Sequence, residues 1–364
     1  MPATSVDATL ELHQAVGAFG ELEAWLRERG FFARGGEQLV ADLYLGYGLS
    51  QCIRRRGAPP PPEPCPALPL LACSVRQDEE TQGVGADRHE DIRVGRWEQS
   101  WSEDEYAAAI DTVRAAIARG DVYQVNLVQH LSAPFTGDPA SLASALAHLD
   151  PLIPEPLVGD GWAIVSASPE LFLAKRGRRV RTMPIKGTRP AGGSRELSRS
   201  QKDAAEHVMI VDLERNDLSR VCVPGSVRWP ELMATRRLAG VEHMVSTVEG
   251  RLREGAGLAA LLEAMFPGGS VTGAPKIAAV DLIAGLEPVG RGASMGALGR
   301  VYGNGDLNLA LTIRTFAIAE GRIHLWVGGG VVWGSDPSAE VEESWVKARP
   351  LLAAVGGTAA RSAR

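Results

Sequence analysis

The sequence has few cysteines, no basic excess and no long apolar run. Its 364 residues include four cysteines, which show no close pairing of the kind that binds zinc. Neither a disulfide framework nor a zinc knuckle is therefore expected. The formal net charge is −6, which argues against nucleic-acid binding. No stretch of about 18 apolar residues is present, so no membrane span is expected.

The first residues also lack the pattern of a secretory signal. Met1 to Asp7 contain neither a basic segment nor an apolar one, so a cytoplasmic location is expected. The composition, 45% hydrophobic and 23% charged, is that of a globular protein with one large domain or two smaller ones. A proline-rich stretch at 58–69 is typical of an extended surface loop or linker.

Three helices have clear boundary signals. Ser102 and Glu105 form a capping box, and Gly120 supplies a stop, so a helix is expected from 103 to 119. A second helix is expected from about 201 to 222, before Pro224, and a third from Pro337, capped by Asp336. Apolar strands lie between these helices, which predicts a large mixed α/β or α+β domain.

The segment Met183–Pro190 combines two basic residues with backbone-restricting neighbours. Lys186 follows two apolar residues, Gly187 follows it directly, and Arg189 is three positions further on. An ammonium group with an apolar approach loses its proton more easily and becomes a nucleophile. The alternative is a solvated lysine at a strand end, because most lysines are solvated.

Further candidates for chemistry are spread along the chain, each with a structural alternative. Glu206 lies on an otherwise apolar helical stripe, either at a helix edge or in a polar pocket. His243 lies in an apolar strand-like run, as a core residue or a catalyst. Glu340, Glu343 and Lys347 share one helix face, as a surface salt bridge or as carboxylates for a hard cation.

Two glycine-containing loops are able to admit a ligand. The loop 266–276, with Thr272 and Gly273, lacks the Gly-Lys-Ser/Thr spacing of a phosphate loop but can present backbone N–H groups to an anion. Gly328, Gly329 and Gly330 follow a predicted strand, which indicates either a bulge or close ligand approach. With Arg189 and Arg314 as carboxylate partners and Glu170 as an acid/base group, these residues suit a small polyanionic substrate bound through a metal and guanidinium groups.

The motifs resemble those of the chorismate-utilising enzymes over about residues 100 to 355. The resembling segments are Tyr123–Leu127, Ser168–Glu170, Pro184–Thr188, Ala205–His207, Met209–Asp217, His243–Ser246, Phe266–Lys276, Ile313–Thr315, Gly328–Gly330 and Glu340–Glu343. Within the family the pattern is most similar to component I of the aminodeoxychorismate synthases. The resemblance implies two large, mostly antiparallel sheets packed as a sandwich with helices outside. It also implies that residues 1–98 join the fold of the catalytic domain, 99–356, before a disordered tail, 357–364.

Two positions divide the chemistry of the family that the chain resembles. Relatives that add water to chorismate carry a lysine base where Gln124 stands here, and an amide cannot deprotonate water, which favours ammonia as the nucleophile. Anthranilate synthases have Ala where Lys186 stands. A lysine there implies a double displacement, in which Lys186 adds at C2 of chorismate and ammonia then attacks C4 to give 4-amino-4-deoxychorismate, the precursor of p-aminobenzoate for folate or for a specialised metabolite.

The resemblance also implies the remaining roles. Glu170 is the expected general acid, and His243 is expected to hydrogen-bond near C4. Glu206, Glu343 and Glu340 are expected to hold Mg²⁺, and Arg314 with Gly328 to Gly330 to bind the enolpyruvyl carboxylate. The other expected substrate-binding residues are Gln124, Gly187, Thr188, Arg189, Thr272, Gly273 and Lys347.

The chain departs from the family at Ala191, Ser294 and Arg300, which predicts a looser or rearranged substrate pocket. No glutamine amidotransferase motif is present, so ammonia is expected from a separate amidotransferase subunit. The alternatives are an anthranilate synthase, a 2-amino-2-deoxyisochorismate synthase, and a catalytically degenerate paralogue that serves as a binding scaffold.

Overall fold

The computed structural model describes residues 8–36, 38–55, 59–78, 92–190, 201–238 and 241–356. The side chains at 188–190, 201–203, 237, 238 and 241 lie outside this description. The α-helices of the described ranges are α1 Ala18–Glu28, α2 Glu103–Arg119, α3 Pro139–Leu146, α4 Gln201–Ser219, α5 Leu258–Met265, α6 Lys276–Leu286 and α7 Pro337–Ala354.

Eighteen strands are described, and all their pairings within the described ranges are antiparallel. They are β1 Ala8–Leu12, β2 Leu39–Leu45, β3 Leu71–Gln77, β4 Arg93–Val94, β5 Glu98–Gln99, β6 Gln124–Thr136, β7 Leu157–Gly159, β8 Trp162–Ser166, β9 Leu171–Arg176, β10 Arg179–Met183, β11 Ile185–Pro190, β12 Arg228–Leu238, β13 Val241–Arg251, β14 Gly273–Ala274, β15 Ala297–Tyr302, β16 Leu307–Leu311, β17 Thr315–Ala319 and β18 Arg322–Val331.

The strands form two large sheets. The ten-stranded sheet has the order β1-β3-β2-β15-β16-β9-β10-β13-β11, with β12 also paired to β13. The eight-stranded sheet has the order β14-β6-β18-β17-β8-β7, with β4 and β5 paired to β6. The predicted fold class is therefore confirmed. The N-terminal strands β1 to β3 lie in the same sheet as β11, which carries Lys186.

Two apolar clusters hold the layers together. One joins both sheets with α1, α4 and α5, and contains Leu43, Leu262 and Trp326. The other lies between the eight-stranded sheet and helices α2, α3, α6 and α7, and contains Ile110 and Trp345. Full burial of one large apolar side chain contributes about 1.5–3 kcal/mol, so these clusters supply the main driving force for folding.

The predicted boundaries of α2 and α7 are confirmed. Ser102 Oγ accepts a hydrogen bond from Glu105 N at 3.2 Å, and Glu105 Oε2 accepts one from Ser102 N at 2.7 Å. Gly120 ends α2 at φ 80°, and Asp336 Oδ1 accepts from Ala339 N at 2.9 Å at the start of α7. Local capping groups determine these helix ends because they satisfy backbone groups that lack helical partners.

Three other sequence expectations need correction or detail. Helix α4 ends at Ser219 rather than near 222, because Cys222 already forms a β-bridge with Leu252. The glycines 328–330 do not follow a strand but lie inside β18. The proline-rich segment packs on the body of the protein, since Pro62 O accepts from Gly290 N at 2.8 Å and Cys65 is buried.

Candidate active site

Lys186 lies at the centre of a buried polar cluster between β11, α4 and the loop before β14. Its Nζ is 2.9 Å from Glu206 Oε1 and donates a hydrogen bond to Ser270 O at 3.4 Å. The side chains of Lys186 and Glu206 are only 14% and 11% exposed. The interpretation of Lys186 as a solvated strand-end residue is therefore wrong.

The charge environment of Lys186 differs from the one that the sequence suggested. Burial by itself lowers the pKa of Lys186, but the attraction of Glu206 outweighs it. Glu170 and Glu343 add to that attraction, and the pKa ends above its ordinary value. The expectation that an apolar approach makes this lysine lose its proton more easily is wrong, because carboxylates surround it.

Gln124 begins β6 and is fixed by the same glutamate. Its Nε2 donates to Glu206 Oε1 at 2.6 Å, and the residue is 1% exposed. Gly330, on the neighbouring strand β18, makes room for this contact. A Cβ atom at Gly330 would collide with Gln124 Nε2 and with Glu206 Oε1. The glycine is therefore required for close approach.

Glu170 follows β8 and is 5% exposed. Burial raises its pKa, while a hydrogen bond from Ser270 and the charges of Lys186 and Arg314 oppose this shift without cancelling it. Ser270 Oγ donates to Glu170 Oε1 at 2.7 Å. A buried carboxyl group with a raised pKa is suited to donate a proton, which is the expected role of Glu170.

Arg314 and His243 lie beside Glu170 and Lys186. Arg314 has φ 51°, and its carbonyl accepts from Ala167 N at 3.0 Å. His243 Nδ1 lies 3.2 Å from Gly187 O, and the residue is 1% exposed. Burial and then the charge of Arg314 lower the pKa of His243, which favours the neutral imidazole.

Gly328 and Gly329 of β18 lie against helix α7. A Cβ atom built at Gly329 lies 3.2 Å from Lys347 Nζ, 3.4 Å from Glu343 Oε1 and 3.5 Å from Glu340 Oε2. Lys347 Nζ also donates to Gly328 O at 2.8 Å and pairs with Glu343 at 2.8 Å. The i,i+4 salt bridge that the sequence suggested is present, and it lies at the edge of the site.

A metal site was predicted at Glu206, Glu340 and Glu343. In the described ranges, no three His, Cys, Asp or Glu side chains are arranged to hold a metal ion. Glu206 on α4 approaches Gly330, and Glu340 and Glu343 on α7 approach Gly329, the preceding residue of β18. Lys186 pairs with Glu206, and Lys347 pairs with Glu343. An oxygen donor set of this size fits Mg²⁺, which keeps several waters and takes few protein carboxylates.

Two other predicted substrate-binding residues, Thr272 and Gly273, have structural contacts of their own. Thr272 is fully buried, and its Oγ1 donates to Gly268 O at 2.9 Å, so its hydroxyl is used within the loop. Gly273, at φ 143°, pairs with Val125 and leaves no room for a Cβ atom beside Gln124 O. The side chains of Thr188 and Arg189 lie outside the described part of the chain, and so does Ala191.

Ser294 and Arg300, the two described residues that depart from the family pattern, have no recorded contact with the Lys186 cluster. Ser294 is buried in a turn, where its Oγ donates to Thr312 O at 3.4 Å. Arg300 pairs with Asp42 and Glu155, each at 3.1 Å, in a separate cavity of about 240 Å³. Within the described residues, neither side chain has a recorded contact with a predicted site residue.

The sequence did not single out several residues that support the site. Arg291 is 1% exposed, pairs with Glu287 at 2.7 Å and donates to Asn126 O and Val271 O. Lys276, whose loop suggested anion binding, is paired with Asp217 at 2.6 Å. Apart from Glu287, four residues before Arg291, these partners are far apart in the chain, so their presence in or near the family motifs was the available signal.

Comparison with known proteins agrees with the motifs. The family described as chorismate binding enzyme matches residues 70–353. Anthranilate synthase component 1 of Thermus thermophilus is 42% identical over 272 residues, 71% of this chain and 58% of that protein. Aminodeoxychorismate synthase component 1 of Klebsiella aerogenes is 40% identical over 266 residues, 70% of this chain and 59% of that protein. The chain thus spans slightly less than three fifths of these relatives.

Solved structures show the same fold. Anthranilate synthase component I from Streptococcus pneumoniae superposes with a TM-score of 0.75 at 25% identity, covering 85% of this chain and 80% of that chain. The menaquinone-specific isochorismate synthase MenF from Escherichia coli gives 0.73 at 17% identity, covering 96% and 84%. None of the helices in the described residues is long and apolar enough to cross a membrane. The chain belongs to the chorismate binding enzyme family.

Proposed function

We propose that the chain is component I of an aminodeoxychorismate synthase, which converts chorismate and ammonia to 4-amino-4-deoxychorismate. The observation that carries the proposal is the position of Lys186, buried in the site and in contact with Glu206. Neutral amines are strong nucleophiles, and a lysine beside the ring is able to occupy C2 transiently. Direct attack of ammonia at C2 cannot give a 4-amino product, whereas attack at C4 with departure of Lys186 can.

In the first displacement Lys186 Nζ passes a proton to Glu206 Oε1, 2.9 Å away, and forms a bond to C2. The ring double bond shifts, the bond from C4 to its hydroxyl breaks, and the hydroxyl leaves as water. Glu170 supplies the proton to that hydroxyl. Burial raises the pKa of Glu170, which favours the protonated form that this step needs. The second displacement forms the bond from ammonia to C4 and breaks the bond from C2 to Lys186. The contact of His243 with Gly187 O supports its proposed role, a hydrogen bond near C4.

Two cationic groups suit the carboxylates of chorismate. A Mg²⁺ ion held by Glu206, Glu340 and Glu343 would supply positive charge to the ring carboxylate. Arg314, beside Glu170, together with the backbone of Gly328 to Gly330, would bind the enolpyruvyl carboxylate. Lys347 lies at the solvent-exposed edge of the site and donates a hydrogen bond to Gly328 O.

The second candidate within the class is an anthranilate synthase, because relatives of that name are as similar as the aminodeoxychorismate synthases. The two activities place the amine at different ring positions. Purified protein should therefore be incubated with chorismate, Mg²⁺ and ammonium above pH 8, and the products resolved by chromatography. A 4-amino product, converted by an added lyase to p-aminobenzoate, is the expected result. Anthranilate as the main product, or unchanged chorismate, contradicts the proposal.

Ammonia is proposed to come from a separate glutamine amidotransferase subunit. The cysteines offer no activated thiol for such chemistry: Cys65, Cys73 and Cys222 are buried and burial raises their thiol pKa values, while burial and Glu263 raise the pKa of the exposed Cys52. Free ammonium should therefore support turnover, whereas glutamine alone should not. Turnover with glutamine and no added partner would contradict this part of the proposal.

A further inference from the structure

A cavity of about 320 Å³ lies on the solvent side of the ten-stranded sheet, with walls from β10, β12 and β13. It is called the arginine cavity here because Arg179, Arg181 and Arg236 line it. Alternate residues of a strand face opposite sides of the sheet. Val180 is fully buried in the core, whereas its neighbours on β10, Arg179 and Arg181, are exposed. The cavity therefore lies on the face of the sheet that points away from the core.

The arginine cavity carries an excess of two positive charges. Its charged groups, with one arginine bonded to a lining glutamate, are Arg179, Arg181, Arg228, Arg236, Glu231 and Glu249. The chain as a whole has a net charge of −6, so this local excess runs against the general balance. Arg179 also lies directly opposite Arg251 on β13, and like charges in that position destabilise a sheet. A bound anion would relieve this repulsion.

Glu249 holds two of the guanidinium groups in place. It is 2% exposed, and it accepts hydrogen bonds from Arg179 Nε at 2.9 Å and from Arg228 Nε at 2.7 Å. Burial raises the pKa of Glu249, but the hydrogen bonds from both arginines outweigh burial and the pKa ends below its ordinary value. Each guanidinium group has five N–H donors, so donors remain for a ligand. Groups that are already held in place need little reorganisation on binding.

Arg181 supplies a positive charge that the described residues do not neutralise. It lies directly opposite Glu249 on β13, and Arg228 lies opposite the same glutamate on β12. Glu249 already accepts hydrogen bonds from Arg179 and Arg228. In the described part of the chain, the exposed Arg181 has no recorded ion pair or hydrogen bond of its side chain. Its guanidinium group is therefore available to an external anion.

The cavity beside Arg300 shows a balanced arrangement for comparison. There Arg76 pairs with Asp42 at 2.8 Å, and Arg300 pairs with Asp42 and Glu155, each at 3.1 Å. Two arginines face two carboxylates, and both arginines are paired. Pairing between neighbouring strands accounts for that cavity, but it does not account for the excess charge of the arginine cavity.

We propose that the arginine cavity binds an organic phosphate, a phosphate monoester with a small apolar substituent. A phosphate group carries nearly two negative charges at neutral pH, which matches the excess, and its oxygens accept hydrogen bonds from guanidinium groups. Met183 and Pro230 also line the cavity and give the substituent an apolar wall. The volume lies at the lower end of the range for small-molecule sites. Binding forms no covalent bond and does not depend on the proposed amination of chorismate.

The test titrates the full chain with phenyl phosphate by calorimetry at constant ionic strength. The wild type should bind this probe with a Kd of about 1 mM or tighter. Inorganic phosphate lacks the apolar group and benzoate carries a single charge, so each should bind about tenfold more weakly. The absence of saturable binding overturns the proposal. Equal affinity for inorganic phosphate overturns the organic part of the assignment, and equal affinity for benzoate overturns the phosphate part.

Substitutions locate the binding in the arginine cavity. Arg181→Gln should weaken phenyl phosphate binding about tenfold, and the double variant with Arg236→Gln about a hundredfold, because each change removes a charged donor. Arg181 is exposed, so the unfolding midpoint of Arg181→Gln without ligand should stay near that of the wild type. Binding at another site, including the chorismate site, would leave the affinity of both variants unchanged, and that result overturns the proposal.

Arg34→Gln is the matched control. Arg34 is also exposed, does not line the cavity, and has no recorded ion pair in the described part of the chain. Its replacement removes the same charge, and the affinity for phenyl phosphate should stay within about twofold of the wild type. An equal loss of affinity in Arg34→Gln and Arg181→Gln would reflect net charge alone and would also overturn the proposal. No chorismate turnover enters these measurements, so their outcome is independent of the proposed function.

Discussion

The inner face of the β6–β18 pair has two ends with opposite character. The open end consists of Gln124 and Asn126, with Gly330 opposite Asn126 and Gly328 opposite Val128, and the side-chain oxygens of the two amides are unpaired. The packed end consists of His130, His324 and Trp326 with Ser100. There His130 Nδ1 lies 2.6 Å from Ser100 Oγ and its Nε2 lies 3.0 Å from His324 Nδ1.

The difference between the ends shows how one strand pair serves two purposes. At the packed end, large rings fill the space and polar atoms satisfy each other, which stabilises the fold. At the open end, glycines remove side-chain bulk, and charged or amide groups are left to face a ligand. The β6–β18 ladder runs without interruption from the packed end to the open end. The packed end therefore helps to hold the strands of the open end in position.

The largest expected effect is at the nucleophile of the open end. Lys186→Ala should lower the rate of 4-amino product formation by a factor on the order of 10³ or more, because it removes the group that occupies C2. Product formation is measured by chromatography under the conditions given above. Lys175→Ala, which removes a lysine bonded to Gly305 O in the same sheet, is the control and should keep most activity. Equal rates for Lys186→Ala and wild type would exclude a covalent role.

The second effect concerns the space at the open end. Gly330→Ala introduces a Cβ atom that collides with Gln124 Nε2 and Glu206 Oε1, so both groups must move. A displacement of about 1 Å at reacting groups costs about 10²-fold, and kcat/KM for chorismate should fall by about that factor. Gly334→Ala is the control, because a Cβ atom there meets nothing within 4 Å. Equal kcat/KM values for Gly330→Ala and Gly334→Ala would contradict the role of Gly330 in leaving space for Gln124 and Glu206.

At the packed end a substitution should change stability rather than catalysis. His130→Leu leaves Ser100 Oγ and His324 Nδ1 without their present partner, and the free energy of unfolding should fall by about 2 kcal/mol. Urea unfolding measures this loss, and kcat/KM of the folded protein should stay within about twofold. His148→Leu, at an exposed histidine, should change stability by less than about 0.5 kcal/mol. A large loss of activity at full stability would show that the two ends are not separate.

Per pH unit, the smallest effect is the pH dependence of stability at the packed end. Burial, followed by the charges of His324 and Arg322, lowers the pKa of His130 to about 3, and burial lowers the pKa of His324 to about 4. The unfolded chain therefore binds protons near pH 6.5 while the folded protein does not. Stability from these histidines is fully present above pH 6.5 and is lost as pH falls toward 4. The free energy difference between wild type and His130→Leu should fall by about 1.4 kcal/mol per pH unit below pH 6.5, so that it vanishes near about pH 5 and the variant is the more stable protein below that.

The local elements could be predicted because their signals are local. The capping box at Ser102 and Glu105 and the cap at Asp336 depend on neighbours within three residues, so the boundaries of α2 and α7 were predicted correctly. The end of α4 was not, because it depends on the β-bridge between Cys222 and Leu252, thirty positions away in the chain. The glycines of β18 were placed after the strand, since the antiparallel partner β6 that keeps them in register is nearly two hundred residues earlier.

Within the site, sequence patterns identified residue types but not their partners. The motifs named Lys186, Glu206 and Gln124, and the structure brings these three into direct contact. The sequence suggested an apolar approach to Lys186, while the fold surrounds it with carboxylates that raise its pKa. Ser270, which donates to Glu170, and Asn126 were part of quoted motifs without a role, because hydrogen-bond satisfaction depends on which atoms meet in three dimensions.

The sequence by itself determined the fold class, the helix starts and the family, since helix caps depend on residues a few positions apart and the motifs follow one order in the chain. Only the tertiary structure decided which carboxylate meets Lys186, which end of the β6–β18 face is packed, and which amide oxygens remain unpaired. The physical reason is that charge and hydrogen bonding act over a few ångströms, and antiparallel register brings residues within that range that lie 20 to 200 positions apart in the chain.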